Sequence, residues 1–207
     1  MARHTHSESQ GERREGASGS PSHIDGERFR DTIGHFASGV TIITAHHDGT
    51  NFGVTANAVT SVSLDPAMLL VCLNRKSRTQ NAVSRSSAFS VNILEERQGD
   101  LAVRFATTGP GKFDGVELRH GDLGSPLLQG ALAHLECWVM EEVSAGTHVV
   151  YLGGVHRAEY FPGEPLAYFR GRFGQLELDR DVPADADILD PALSQHFHDA
   201  LTFFTHG

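Results

Sequence analysis

The chain has 207 residues, 39% apolar and 21% charged, enough for one globular domain with a full core and a tail or two. No apolar run approaches the roughly 20 residues of a membrane span, and the segment from Met1 to Glu8 lacks the apolar stretch of a secretion signal. The formal charge is −9 and no basic face is evident, so neither nucleic acid nor membrane is expected as a partner, and the cytoplasm is the expected location.

Residues 1–23 are Ser, Gly, His, Glu and Arg with almost no apolar side chain, and read as a disordered tail. His4, His6 and His23 belong to it; a metal there would have to order the chain as well, so no metal site is expected. Folding is expected over residues 24–178. Asp25 is a candidate N-cap, Phe29, Ile33 and Phe36 recur at helical spacing, and Gly39 supplies a stop. Val40 to Thr44 reads as a strand, His46 to Asn51 as a turn around Asp48-Gly49, and Phe52 to Val59 as the return strand. A strand over Ala67–Leu73, a helix over Thr79–Arg85, a strand over Phe89–Ile93 and a helix over Gln98–Phe105 follow. Then come strands at Ala131–Val143, Thr147–Tyr160, Leu166–Phe169 and Phe173–Leu178. Strands of this length, broken by Gly and Pro and not alternating with helices, predict an antiparallel barrel with appended helices. Cys72 and Cys137 lie in apolar strand-like runs and read as buried thiols.

The end of the chain has its own pattern. From Glu177 onward seven acidic residues stand against Arg180 alone, and these residues carry −6 of the net charge. Residues 179–190 read as an acidic linker. Asp190-Pro191 is an N-cap and N1 pair opening a helix over 191–207, with Leu193, Phe197, Leu201 and Phe204 in one stripe. His196 and His198 flank Phe197 without a companion ligand set and read as solvated helix residues.

Several signatures of chemistry are absent: no Gly-x-Gly-x-x-Gly, no phosphate-binding Gly-x4-Gly-Lys loop, no Gly-x-Ser-x-Gly elbow and no Cys-x-x-Cys. What remains is one polar region. The run Thr55-Ala-Asn57-Ala-Val-Thr60-Ser61-Val-Ser63 places small hydroxyl and amide groups along a strand and into the loop after it. Such residues let a planar ligand approach the backbone, although Thr also simply favours strands. The run Leu73-Asn74-Arg75-Lys76-Ser77-Arg78-Thr79-Gln80 follows a buried strand and opens a helix. It gathers cations, hydroxyls and a helix N-terminus, a combination that suits phosphate or pyrophosphate as well as a solvated basic turn. Together the two runs favour a phosphorylated planar cofactor.

In order along the chain stand Phe36-Ala-Ser-Gly-Val-Thr-Ile-Ile-Thr, Gly53-Val-Thr-Ala-Asn, Ser61-Val-Ser-Leu-Asp-Pro, Cys72-Leu-Asn-Arg-Lys-Ser-Arg-Thr, Phe89-Ser-Val-Asn-Ile-Leu and Lys112-Phe113. This ordered set, from about Phe29 to Leu178, resembles the flavin reductase family that supplies reduced flavin to two-component monooxygenases. The resemblance implies a mainly β fold with appended helices, an FMN-binding split β-barrel, and a homodimer. It implies FMN or FAD with NADH or NADPH, a partner monooxygenase, and hydride transfer without a protein acid–base pair. NADH is the expected nucleotide, because no further basic cluster is evident for a 2′-phosphate.

By the same resemblance, Thr55, Asn57, Ala58, Ser61 and Ser63 would line the flavin ring and ribityl chain. Asn74, Arg75, Ser77 and Arg78 would hold its phosphate, and Arg104 and Phe105 would contact it from the following helix. Gly146, Thr147 and His148 would sit by the nicotinamide, His148 positioning it, with Thr147 where relatives commonly carry Asp. Phe169 to Phe173 fall in the matching terminal strands, with Phe173 at the nicotinamide site. The alternatives left open are a flavin- or haem-utilising binding protein on the same barrel without turnover, and an oxidase that keeps its flavin tightly bound.

Overall fold

The computed structural model describes residues 24–177, so both terminal segments, including the expected tail, linker and C-terminal helix with His196 and His198, lie outside the described residues. The chain divides into two units at Ile33. In the first, helix α1 (Gly26–Ile33) starts where Asp25 Oδ2 accepts the Arg28 amide at 3.2 Å, the expected N-cap. Phe36 falls beyond this helix, and Gly39 is not its stop: Ser38–Gly39 instead form a two-residue strand, β1, in the second unit.

The second unit is built on seven antiparallel strands. These are β2 (Thr41–His47), β3 (Thr50–Ala56), β4 (Val59–Leu64), β5 (Ala67–Asn74), β6 (Ala88–Ile93), β9 (Ala133–Ala145) and β10 (His148–Tyr160). Their order in the sheet is β3-β2-β6-β9-β10-β5-β4. Two smaller sheets complete it: β7 (Leu118–His120) with β8 (Pro126–Leu128), and β1 with β11 (Ala167–Phe169) and β12 (Arg172–Gly174). Helices α2 (Arg78–Ser86) and α3 (Gly99–Ala106) are inserted on either side of β6, with a 3-10 turn at Glu96–Gln98.

The strand order itself dictates a barrel. Laid flat, seven strands would hold β3 and β4 roughly 29 Å apart, at about 4.8 Å per spacing. Yet only Asn57 and Ala58 separate the end of β3 from the start of β4, a link that reaches roughly 11 Å at most. The sheet must therefore curl until its two edges meet at that corner. β3 and β4 are not hydrogen-bonded to each other, so the barrel stays open along their seam.

Two apolar clusters fill the two faces of β2, as period-2 alternation requires. Ile43 and Ala45 point inward with Val71, Leu73, Phe89, Val91 and Tyr151, where Ala82 and Val83 of α2 plug the barrel. Val40 and Ile42 point outward and pack beneath α3 with Leu94, Ala102, Phe105 and Leu166. Burying side chains of this size is worth about 1.5–3 kcal/mol each before ordering costs. The link between these layers is Asn92, fully buried on β6. Its amide donates to Ile42 O at 2.9 Å and Thr44 Oγ1 at 3.1 Å, and its oxygen accepts from Leu128 N at 2.8 Å.

The expected strands and helices recur with shifted ends, and the Asp48-Gly49 turn has φ of 47° and 70°, the left-handed pair that a tight hairpin needs. One boundary differs with consequence. The return strand stops at Ala56 and a new strand starts at Val59, so Ser61 and Ser63 lie on edge strand β4 and not in a loop. Of the two thiols, Cys137 is fully buried, and Cys72 only half-buried.

Candidate functional site

Three groups of side chains meet around the start of α2 and the far end of β3. The first joins the end of β5 to the β9–β10 turn. Asn74 is paired with His148 in register. Arg75 donates from its backbone to Thr147 O at 3.1 Å and from Nε to Gly146 O at 2.8 Å. His148 is exposed, with Nδ1 2.9 Å from Thr147 Oγ1. Thus Asn74, Arg75, Gly146, Thr147 and His148, expected to serve phosphate and nicotinamide separately, form one surface. Arg75 also holds the turn that presents His148.

Between β5 and α2 the chain turns tightly, with Asn74 Oδ1 accepting from Lys76 N at 2.9 Å and Ser77 N donating to Asn74 O at 2.9 Å. Ser77 is the N-cap of α2, its hydroxyl oxygen accepting from Thr79 N at 3.2 Å. That leaves the hydroxyl proton free to donate outward.

The second group forms where β3 packs on α3. Arg78 lies over the ring of Phe52, 5.5 Å from its centroid. The next residue, Gly53, has no side chain because Phe105 occupies the space: a Cβ there would come within 2.5 Å of that ring. Phe105 is itself fully buried and meets Phe113 edge-on at 4.9 Å. It therefore packs beneath β3 at Gly53. Thr55 donates to Ala102 O at 2.6 Å, which ties β3 to α3 and leaves the hydroxyl oxygen as an acceptor. Arg104 Nη1 donates to Asp114 O at 3.0 Å and steadies the loop that carries Lys112. Lys112 Nζ donates to Gly53 O at 3.2 Å and Phe105 O at 2.9 Å. Burial, and secondarily the charge of Arg78, push the Lys112 ammonium pKa down.

The third group lies at the barrel seam. Asn57 donates to Ser38 Oγ at 3.3 Å, Ser38 pairs with Tyr168 in register, and Tyr168 meets Phe173 at 5.6 Å. Phe173 is thereby linked to the Asn57 end of the site, and among the described residues no hydrogen bond or ring contact joins it to His148. Ala58 O accepts from Cys72 N at 3.0 Å, which fixes the corner between β3 and β4. Ser61 lies opposite Leu69, and Ser63 opposite Met68 across a bulge. Neither hydroxyl is drawn into the other groups.

Several cations gather in this region. Among the described residues, the arginines paired with carboxylates are Arg97, Arg119 and Arg157. No such pair involves Arg75, Lys76, Arg78, Arg104 or Lys112. Arg75, Lys76 and Arg78 at the start of α2, with the charge of Arg78 felt at Lys112, fit an anionic ligand. Lys112, Phe52 and Ser38 had no role in the sequence reading; the only signal for Lys112 was its place in the Lys112-Phe113 motif. No group of three metal-ligating side chains occurs among the described residues.

Comparison with known proteins accords with this geometry. Residues 33–177 match the family model described as "Flavin reductase like domain". The chain is 44% identical, over 84% of its length and 93% of the relative's, to the reductase component of a 4-nitrophenol 4-monooxygenase/4-nitrocatechol 2-monooxygenase from Rhodococcus opacus. Among solved structures, nitrilotriacetate monooxygenase component B from Mycobacterium thermoresistibile superposes with a TM-score of 0.75 at 37% identity, covering 81% of this chain and 93% of that one. The NADH:FAD oxidoreductase of Streptomyces globisporus C-1027, solved in complex with NAD and FAD fragments, superposes with a TM-score of 0.72 at 33% identity, covering 77% and 99%. The chain belongs to the flavin reductase family.

Proposed function

We propose that this protein is an NADH-dependent flavin reductase that reduces FMN or FAD and releases the reduced flavin to a separate monooxygenase. The observation that carries the reading is the run of cations Arg75, Lys76 and Arg78 at the start of α2, beside a strand of small polar residues and near His148. When bound, the flavin supplies the redox chemistry, taking a hydride from the reduced nicotinamide. The protein's part is to bind and orient. Ser77 and Arg78 offer an O–H and a guanidinium to the phosphate, and the Thr55–Asn57 stretch of β3 lets the ring approach main chain at the seam. His148, exposed beside Thr147, is placed to position the nicotinamide. No general base is required of the protein, whose part is to hold the two reactants in position.

The outer surface of the sheet supports a homodimer. Trp138 and Met140 on β9 and Val62 on β4 are 42%, 48% and 49% exposed; Trp138 lies opposite Gly154, which is opposite Met68, and Leu152 lies opposite Leu70. A continuous apolar sheet face of this kind marks a protein contact, and a second copy is its proposed occupant. Trp138→Glu is expected to yield monomers in sedimentation, and an unchanged mass would remove this face from consideration. Among the described residues no helix is long and apolar enough to cross a membrane. A reductase drawing on NADH is proposed to act in the cytoplasm.

The test is steady-state NADH consumption by desalted protein with FMN, FAD or riboflavin added. Turnover that depends on added flavin is expected. Flavin that stays on the protein through desalting would favour the oxidase alternative, and absence of turnover with bound flavin the binding-protein alternative.

A further inference from the structure

We propose that Tyr151 is a positioning residue for hydride transfer: through Gln80, Ser84 and Glu142 it ties helix α2 to the β9–β10 hairpin that presents His148. The assignment rests on the reduction of flavin by NADH proposed above and adds a residue to it.

Tyr151 stands on β10 shortly after His148, fully buried among the apolar side chains inside the barrel. Phenylalanine would fill that space as well, as Phe89 does with its ring centroid 6.5 Å away. The hydroxyl is the costlier choice, because a buried polar group is unfavourable unless it is bonded. Here it is fully bonded, and its partners lie on other elements. Gln80 Nε2 donates to it at 2.7 Å, Ser84 Oγ lies 2.7 Å away, and Gln80 O accepts at 3.2 Å. Ser84 Oγ donates its own proton to Glu142 Oε2 at 2.7 Å, so between Ser84 and Tyr151 the phenol is the donor. Burial pushes the Tyr151 pKa up, which keeps that proton in place.

The ends of this network give its use. Gln80 lies in the first turn of α2, directly after Ser77, Arg78 and Thr79, and Ser84 follows one turn later on the helix. Glu142 pairs with Tyr151 in register across the β9–β10 ladder, and the same ladder closes at the turn that carries Gly146 and Thr147. Arg75 already holds that turn through Thr147 O and Gly146 O. The helix start and the hairpin are therefore joined twice, by Arg75 at the turn and by Tyr151 behind it. The helix start is the end of the site assigned to the flavin, and the hairpin the end assigned to the nicotinamide. Hydride transfer requires the two reacting atoms to be held within roughly 3–3.5 Å. A buried tie between the two anchors limits their relative motion without touching either reactant.

The experiment measures FMN dissociation constants by fluorescence for wild type, Tyr151→Phe and Ser84→Ala. It also measures anaerobic reduction of prebound FMN at saturating NADH. Both variants are expected to slow reduction about fivefold, with FMN affinity within about twofold of wild type. In a His148→Ala background, Tyr151→Phe should slow reduction less than about twofold further, because both residues act through the hairpin. A purely structural Tyr151 would lower the unfolding midpoint and leave the rate at saturation unchanged, and that result overturns the proposal. So does a loss of FMN affinity as large as the loss of rate, or an undiminished effect in the His148→Ala background. Ser84→Ala, at a half-buried position on the helix, carries the same comparisons if Tyr151→Phe fails to fold. Wild type whose bound FMN is not reduced by NADH would instead overturn the reductase reading.

Discussion

Two charged regions of this fold are built on opposite plans. At and near the start of α2, Arg75 and Lys112 meet backbone carbonyls and Arg78 meets an aromatic ring, with no carboxylate pair among the described residues. On the outer side of β7 and β10, Arg119 and Arg157 both reach Glu159, and Arg157 also meets Asp122 at 3.3 Å. The second region also borders a cleft of about 480 Å³ that includes Arg119, His134, Glu159 and Phe161. Its groups are nonetheless satisfied or sealed. His134 donates from Nε2 to Leu128 O at 2.9 Å, burial pushes its pKa down, and its unpartnered Nδ1 is closed to solvent. A region whose cations are already balanced by carboxylates has little charge to offer an anionic ligand, whereas the cations at the start of α2 have charge to offer one.

The largest expected effect tests the unbalanced region. Ser77→Ala with Arg78→Ala should raise the FMN dissociation constant more than tenfold, about 1.4 kcal/mol or more, through loss of charge-assisted bonds. Riboflavin should lose little. Equal weakening of both would mean that the α2 start has a structural role only. Because Ser77 caps Thr79 N, the same variant should also lose about 1 kcal/mol of stability, read by denaturant unfolding.

A moderate effect is expected at the neighbouring turn. His148→Ala should slow hydride transfer or weaken NADH about fivefold while leaving flavin affinity unchanged, since positioning is only part of the rate. Identical reduction kinetics across an NADH titration would make His148 a plain surface residue.

The smallest effects belong to the balanced region. Arg157→Ala should leave both flavin affinity and turnover unaltered. It should nevertheless move Glu159, whose pKa lies below the ordinary carboxylate range, first through its hydrogen bond from Arg157. A carboxylate held low contributes stability above its unfolded value and loses it as pH falls through its folded value. Removing Arg157 should therefore raise the Glu159 midpoint in an NMR titration toward the ordinary range. A change in FMN binding by this variant would break the contrast between the two regions.

Much of this was legible in the sequence, and for local reasons. Asp48-Gly49 announces its hairpin because few residues accept two successive positive φ values. The helix over Thr79–Arg85 announces itself where a run of cations and hydroxyls follows a buried strand, whereas Ser77 shows itself as the cap only in the structure. What could not be read depends on distant packing. The break at Asn57-Ala58 lies within a run of good strand formers and is set by the need to curl the sheet at that corner. The three-residue strands β7 and β8 are too short to show a period. The seat of Phe105 beneath β3, made possible by the absence of a side chain at Gly53, could not be read from either residue alone. Lys112 acquires a role only when its loop, held by Arg104 and Phe113, returns to β3.

The central claim is that the site at the start of α2 lets NADH reduce a flavin the protein does not keep. The most direct measurement is an anaerobic single turnover, with protein and FMN premixed, NADH added, and flavin absorbance followed before the mixture is passed through a filter that retains the protein. The account predicts that the flavin bleaches at least as fast as steady-state turnover and that reduced flavin passes the filter. Flavin that stays oxidised, or that is reduced but retained with the protein, would contradict it.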